Sequence, residues 1–226
     1  GPYKFVEWVK NDRVEFEANE EYWGGPPEVK RAFLKVMPET QARVSSLRAK
    51  EADIIVSVPP DQIPAIESTE GCSLKSTPSS RVLWIQMVST RETSPFTDKR
   101  VRQAFSYAVN VPEIIEHVVQ GYGKQIATIL SPLIFGYDPS LEPYEYNPEK
   151  AKQLLAEAGY PNGLEVDFDS PNGRYTLDRE VAQAVVGQLS KVGIKANLHL
   201  QEWGTYATMF RSHKIADMWL LGWSLP

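Results

Sequence analysis

The chain has 226 residues, of which 42% are hydrophobic and 23% charged, and its formal net charge is -5. This acidic balance provides no basic surface for a phosphate backbone, so nucleic acid is not an expected partner. No apolar run approaches the roughly 18 residues that a membrane-spanning helix needs. Cys72 is the only cysteine, and the three histidines lack metal-ligand spacing, so we predict no intramolecular disulfide, no metal site and no cofactor.

The part of the chain before residue 90 is predicted to be rich in strands. Residues 3–9 and 13–17 alternate aromatic or β-branched side chains with polar ones, which is typical of a half-buried hairpin. Asn11 and Asp12 supply the turn between them. Further strands are predicted at residues 32–37, 53–56 and 81–88, of which 53–56 is short and buried, and a helix is predicted at 39–49.

Helices follow Pro95. Apolar residues recur along one face of the first predicted helix, at Val101, Ala104, Phe105, Ala108 and Val109. Asp98 lies at its start, where a carboxylate suits the positive end of the helix dipole. A second helix begins at Pro112 and ends at Gly121. The connection at 123–146 is long and shows little periodicity, and loops of this length are often functional.

From residue 147 onward, predicted helices and strands alternate. The helices are at 147–158, 178–191 and 205–212, and the strands are at 165–168, 194–200 and 218–223. This order predicts an α/β lobe, whereas the strand-rich segment before residue 81 is assigned to a different lobe. Glu165, Asp167 and Asp169 fall on one face of a strand, where two carboxylates could perform acid–base catalysis. We favour the simpler interpretation, a solvated strand edge.

Several phrases, in the same order along the chain, resemble the family of peptide- and nickel-type solute-binding proteins of ABC importers. NEEYWGG at 19–25 is similar to the family's N-x-x-Y-W-G-G, and SPFTDKRVRQA at 94–104 is similar to P-F-x-D-x-R-V-R-Q-A. YNPEKAKQLLAEAGY at 146–160 matches a family helix nearly throughout. KEADI at 50–54 resembles G-E-x-D-I but departs from it at two positions. Each phrase alone is weak, but their shared order extends the resemblance over the whole chain.

The resemblance implies an α/β fold of the periplasmic-binding-protein type II class, in which two lobes are joined by crossing hinge strands. Residues 1–82 would form part of lobe I, and residues 83–223 would form lobe II, with hinge strands near 82–88 and 218–223. Family members are roughly twice as long as this chain, so we expect a fragment in which lobe I is incomplete.

The resemblance also implies a function. The protein would be the substrate-binding component of an ABC importer, which captures a peptide or similar small solute between its lobes and delivers it to the inner-membrane permease. It would act as a monomer in the periplasm or another extracytoplasmic compartment, with a lipid anchor as one option, and it would not be an enzyme. A sensory or chaperone module without transport is an alternative, because fold does not determine function. A carboxylate-dependent hydrolase is the remaining and less favoured alternative.

Seven residues are candidates for contact with the solute. Three tryptophans match family positions that face the ligand, namely Trp84, Trp203 and Trp223. Arg211 matches a position that often carries a basic residue near the ligand, where a guanidinium could bind a carboxylate bidentately. The loop after strand 165–168 offers Asn172, Arg174 and Tyr175, since ligands gather at the carboxyl ends of strands in open α/β sheets. Core packing, a solvated helix end and an ordinary turn are the alternative explanations of these three groups.

Overall fold

A computed structural model of the chain describes residues 1–224. Residue contacts divide it into two units, Gly1–Ile55 and Val56–Pro226. The predicted division into lobes at residues 82 and 83 concerns the complete protein and stays a prediction. No helix in the described part of the chain is both long and apolar enough to cross a membrane.

The first unit contains a three-stranded antiparallel sheet and one helix. The strands are β1 (Tyr3–Val9), β2 (Arg13–Ala18) and β3 (Arg31–Lys35), paired in the order β1-β2-β3, and α1 (Thr40–Arg48) follows them. The register places Phe5 opposite Phe16 and Trp8 opposite Val14, so one face of this sheet is apolar. The prediction of a half-buried hairpin was wrong for β1, because Phe5 and Trp8 are both exposed by more than 60%.

The predicted buried strand at 53–56 was also wrong. The structure has no strand there, and Ile54 and Val56 are exposed. A short apolar run becomes a strand only if it finds a partner, and this run lies where the contacts divide the chain.

The second unit is built on a four-stranded mixed sheet. Its strands are β4 (Val82–Met87), β5 (Leu164–Pro171), β6 (Ile194–Gln201) and β7 (Met218–Trp223), in the order β4-β7-β5-β6. β5 runs parallel to β6 and β7, whereas β4 is antiparallel to β7. The helices are α2 (Ile63–Glu67), α3 (Lys99–Ala108), α4 (Val111–His117), α5 (Pro148–Glu157), α6 (Asp178–Ser190) and α7 (Trp203–Arg211).

Two helices of the main core, α3 and α5, begin at residues whose side chains accept hydrogen bonds from free backbone N–H groups. The carboxylate of Asp98 accepts a hydrogen bond from the Arg100 N–H at the start of α3, at 2.8 Å. The side chain of Asn147 accepts one from the Lys150 N–H at the start of α5, and Pro148 occupies the first helical position. Such caps satisfy donors that a helix cannot satisfy internally.

The main core packs α3, α5 and α6 against the sheet. All the apolar positions predicted for the inner face of α3 contribute to it, Val109 being partly buried. Phe96 and Phe105 meet edge to face at 5.0 Å, and Phe168 of β5 has no exposed surface. Alternation along β7 sends Leu220 into this core and Leu221 to the opposite face.

A smaller cluster covers the opposite face of β4 and β7. It consists of Tyr206, Ile215 and Leu221, which are buried, and Trp84, Trp203, Met209 and Trp219, which pack around them. The helix α7 provides three of these seven residues, and the hydroxyl of Tyr206 donates to the carbonyl oxygen of Leu220. Burial raises the pKa of the Tyr206 phenol far above its usual value, so the group stays protonated.

Candidate functional site

Strand direction brings four chain segments to one edge of the second unit's sheet. The parallel strands β5, β6 and β7 all end at this edge, and the antiparallel β4 begins there. The edge is therefore flanked by the loop after β5, the start of α7 and the residues just before β4. Ligands of open α/β sheets gather at such carboxyl edges, which makes this edge the candidate site.

The loop after β5 is held by the buried carboxylate of Asp178. Its two oxygens accept hydrogen bonds from the backbone N–H groups of Gly173, Arg174, Tyr175 and Arg179, each at 2.9 Å. Asp178 is only 2% exposed, and the loop turns through positive φ at Gly173 and Leu177. One carboxylate thus holds the backbone that carries Arg174 and Tyr175, so both side chains project from a fixed support.

Tyr175 is fastened to the end of β7. Its hydroxyl donates to the carbonyl oxygen of Gly222 at 2.8 Å. A Cβ atom at position 222 would lie 2.7 Å from the ring of Tyr175, closer than real Cβ contacts occur. Gly222 is required because the tyrosine ring lies directly against the strand backbone.

Trp203 begins α7 and faces Tyr175. The carboxylate of Glu202 caps the helix by accepting hydrogen bonds from the N–H groups of Gly204 and Thr205. The Trp203 ring meets Tyr175 edge to face at 6.3 Å and stacks on Tyr206 at 5.9 Å. Three aromatic rings from two elements therefore form one continuous wall.

Two guanidinium groups lie over this wall. The central carbon of the Arg174 guanidinium is 4.7 Å from the Trp203 ring centre and 5.7 Å from that of Tyr175. The corresponding carbon of Arg81 is 5.6 Å from the Tyr175 ring centre. All three distances fall within the range of cation–π attraction, which positions each guanidinium while leaving its N–H groups available.

Trp84 and Trp223 lie on the paired strands β4 and β7. Trp84 is opposite Leu221, and Trp223 is opposite Val82, so the two tryptophans share one face two positions apart. Trp84 packs partly into the small cluster under α7, whereas Trp223 is 58% exposed.

The remaining two candidates lie apart from the wall. Asn172 is exposed, and its backbone N–H donates to the carbonyl oxygen of Gln201, two residues before Trp203 in the chain. Arg211 is exposed in the last turn of α7, about 12 Å along the helix axis from Trp203. The structure thus brings together Arg174, Tyr175 and Trp203, and it leaves Arg211 at the far end of the helix.

The carboxylates of Glu165 and Asp167 on β5 contact side chains of the neighbouring strand β6. Glu165 accepts hydrogen bonds from Lys195 at 2.8 Å and Asn197 at 2.9 Å, and the bond from Lys195 lowers the pKa of Glu165. Asp167 contacts Asn197 and His199, which lie on β6 like Lys195. A catalytic acid needs a raised pKa, and the lowered pKa of Glu165 is the opposite of what a hydrolase would require of this residue.

Asp169 departs from the predicted solvated strand edge. It is 3% exposed, and its carboxylate accepts a hydrogen bond from the Ala216 N–H at 2.7 Å. The edge interpretation was wrong for this residue, because the chain entering β7 covers the end of β5. Within residues 1–224 no group of three or more His, Cys, Asp or Glu side chains is placed to hold a metal ion.

Sequence reasoning missed several residues that build this edge. Asp178 carried a signal, since an acidic residue at a helix start after a glycine-containing loop is a common anchor. Gly222 and Arg81 carried none, because their importance depends on Tyr175, which is distant in the chain. An open groove of about 670 Å³ lies elsewhere, beside Ile115 and Lys124.

Known proteins resemble this chain over its whole length. The family model for bacterial extracellular solute-binding proteins, family 5 Middle, matches residues 1–226. The chain is 32% identical to heme-binding protein A of Haemophilus influenzae and 28% identical to the dipeptide-binding protein of Escherichia coli, covering 99% of this chain in both cases. It covers 41% and 42% of those relatives, so it spans about two fifths of their length.

A solved structure shows the same likeness. The periplasmic binding protein DppA from Helicobacter pylori, determined in complex with the peptide STSA, superposes with a TM-score of 0.90 at 26% identity. The superposition covers 100% of this chain and 43% of that protein.

Proposed function

This chain belongs to the bacterial extracellular solute-binding proteins of family 5, and on that basis we propose that its parent protein captures a peptide or similar small solute for an ABC importer. The family assignment confirms the resemblance noted in the sequence, and the structural likeness confirms the predicted α/β fold of the periplasmic-binding-protein class. Solute, permease and compartment belong to the proposal.

The observation that carries this proposal is the aromatic wall of Tyr175, Trp203 and Tyr206, together with the guanidinium groups of Arg174 and Arg81 that lie over it. Tyr175 and Trp203 present ring surface to a variable solute, while the Arg174 guanidinium above them offers N–H groups that no described residue uses. A binding site needs apolar surface for contact and a few fixed polar groups for orientation. Arg174 would bind a carboxylate of the solute, and the rings would pack against its side chains.

The other candidates extend this assignment. Trp84 and Trp223 would continue the wall along β4 and β7, and Asn172 would form its polar lip. Arg211 stays a prediction, reached only if the solute extends along α7. Closure of a binding protein around its solute removes water and strengthens such polar contacts.

The protein would bind its solute without changing it. The relatives are named as binding proteins, and the β5 carboxylates are engaged with the sheet and with Ala216. Periplasmic location is the expected setting, since the H. pylori protein is periplasmic. A sensory or chaperone role without transport is the alternative, and loss of peptide uptake on deletion of the protein would favour import over it.

The test is calorimetry of the full-length protein with a set of short peptides, together with mass spectrometry of any co-purified solute. We expect a peptide to bind, and Arg174→Gln to weaken its binding by about tenfold or more. Arg179→Gln is the matched control, because Arg179 is exposed on the next turn and pairs with Glu180. Full affinity in Arg174→Gln, or turnover of the peptide, would contradict the proposal.

A further inference from the structure

Arg81 and Arg174 share one aromatic ring. The two guanidinium carbons lie 5.6 Å and 5.7 Å from the Tyr175 ring centre. Because both distances refer to the same point, the two carbons are at most about 11 Å apart. Arg81 precedes β4 and Arg174 follows β5, so their proximity is a product of the sheet order.

Neither guanidinium has an acidic partner among residues 1–224. Two other exposed arginines do: Arg100 pairs with Asp98 and Arg179 with Glu180, both at N–O distances of 2.6 Å. The acidic residue nearest to Arg174 in the chain is Asp178. Its carboxylate already accepts hydrogen bonds from backbone N–H groups of the loop.

Two cations beside one ring repel each other, and an anion bound to both relieves this repulsion. The chain has a net charge of -5, yet no carboxylate of residues 1–224 lies within salt-bridge distance of either guanidinium. The rings position the two cations, and their N–H groups remain free to bind an anion from outside the chain.

We propose that Arg81, Tyr175 and Arg174 form a double-cation subsite that selects solutes carrying two acidic groups at one end. This inference rests on the proposed function and sharpens it to peptides with an acidic last residue. In such a peptide the terminal and side-chain carboxylates are a few bonds apart. Each can accept a bidentate hydrogen-bonded pair from its own guanidinium, at donor–acceptor distances of about 2.7–2.9 Å.

The arrangement also separates the roles of the two arginines. Arg174 lies over both Trp203 and Tyr175 and would bind the carboxylate that every peptide has. The guanidinium of Arg81 lies over Tyr175 and would bind the additional acid. Arg81 is therefore a specificity-determining residue, and its loss should weaken the binding of acidic peptides more than that of neutral ones.

The experiment compares Ala-Glu with Ala-Gln, which has the same shape and lacks the second charge, by calorimetry on the full-length protein. We expect Ala-Glu to bind about tenfold more tightly. Arg81→Gln should remove this preference by weakening the binding of Ala-Glu about tenfold, whereas Arg174→Gln should weaken the binding of both peptides. Equal affinities in the unmodified protein, or a preference that survives Arg81→Gln, would overturn the inference.

One control variant completes the design. Arg81→Lys retains the charge but loses the bidentate geometry of the guanidinium, so it should keep part of the preference for Ala-Glu, which a purely structural role of Arg81 in supporting Tyr175 does not predict. Loss of the whole preference in Arg81→Lys, with an unchanged unfolding midpoint, would count against a charge effect. If the unmodified protein binds other short peptides but neither Ala-Glu nor Ala-Gln, the inference fails while the proposed capture of peptides stands; if it binds no peptide, both fail.

Discussion

The main core and the carboxyl edge of the second unit are both rich in aromatic residues, yet they differ in their hydrogen bonding. In the core, Phe96, Phe105 and Phe168 are buried, and no buried side-chain nitrogen or oxygen in the described chain lacks a partner. At the edge, Tyr175 and Trp203 are partly open, and two guanidinium groups above them have unused donors. Unused hydrogen-bonding capacity, more than aromatic content, distinguishes a site from a core.

The largest expected effect tests the main core. Phe168→Ala removes a fully buried ring from β5, and the cavity left behind should lower the free energy of unfolding by about 3–5 kcal/mol. Leu141→Ala, in an exposed part of the long loop, is the control and should change it by less than about 0.5 kcal/mol. Urea denaturation measures both. Similar values for the two variants would remove the distinction between core and surface.

Asp178→Ala tests how the edge is supported. The change leaves four backbone N–H groups without their acceptor, although water can reach some of them, so we expect a loss of about 2–3 kcal/mol in the free energy of unfolding. Peptide affinity should fall as well, since Arg174 and Tyr175 lose their support. Asp138→Ala, which removes the carboxylate from an exposed turn, should affect neither property strongly. Normal peptide binding in Asp178→Ala would show that the loop needs no such anchor.

A pair of glycine substitutions probes the close contact at the edge. Gly222→Ala should displace the Tyr175 ring, lower the free energy of unfolding by about 1–2 kcal/mol and weaken peptide binding. Gly187→Ala, in the exposed middle of α6 with open space around it, should instead raise the free energy of unfolding by about 0.5–1 kcal/mol. Thermal denaturation and calorimetry follow both. The same sign for both variants would contradict the packing of Tyr175 against β7.

The smallest expected effect concerns the carboxylate of Asp98, at the start of the core helix α3. Hydrogen bonds from the Arg100 side chain and backbone hold the pKa of Asp98 below its usual value of 3.8. Because the pKa is lower in the folded state, Asp98 stabilises the fold above pH 3.8, and this contribution is lost as the pH falls through the folded-state pKa. Unfolding midpoints of Asp98→Asn and the unmodified protein should therefore differ near neutral pH and converge in acid. If the difference between the two unfolding midpoints grows in acid, the ionised form of Asp98 does not stabilise the fold.

Patterns that repeat along the chain predicted much of the fold. The apolar face of α3 and the capped start of α5 are contained in about ten residues each, and local periodicity and capping are enough to define them. The predicted segments at 81–88 and 218–223 are strands, β4 and β7, and they pair with each other. The prediction of a strand at 53–56 was wrong, because a strand needs a pairing partner that its own residues do not specify.

The site was predicted in part. The loop position suggested Arg174 and Tyr175, and the family resemblance suggested Trp203, and these three residues meet at the edge. Their contribution to binding stays a prediction until it is measured. Arg81 was not suggested, because a single charged residue before a strand has no periodic signal, and Asp178 was missed although its position at a helix start is a local signal.

The sequence by itself determined the family, the alternation of helices and strands and the identity of the core-facing residues, since each depends on short-range spacing or on phrases kept in order. Only the tertiary structure decided which distant residues meet. The antiparallel course of β4 beside the parallel strands brings Arg81 to the same ring as Arg174, more than ninety residues away. Contacts of that kind depend on strand order and direction, and no local pattern encodes them.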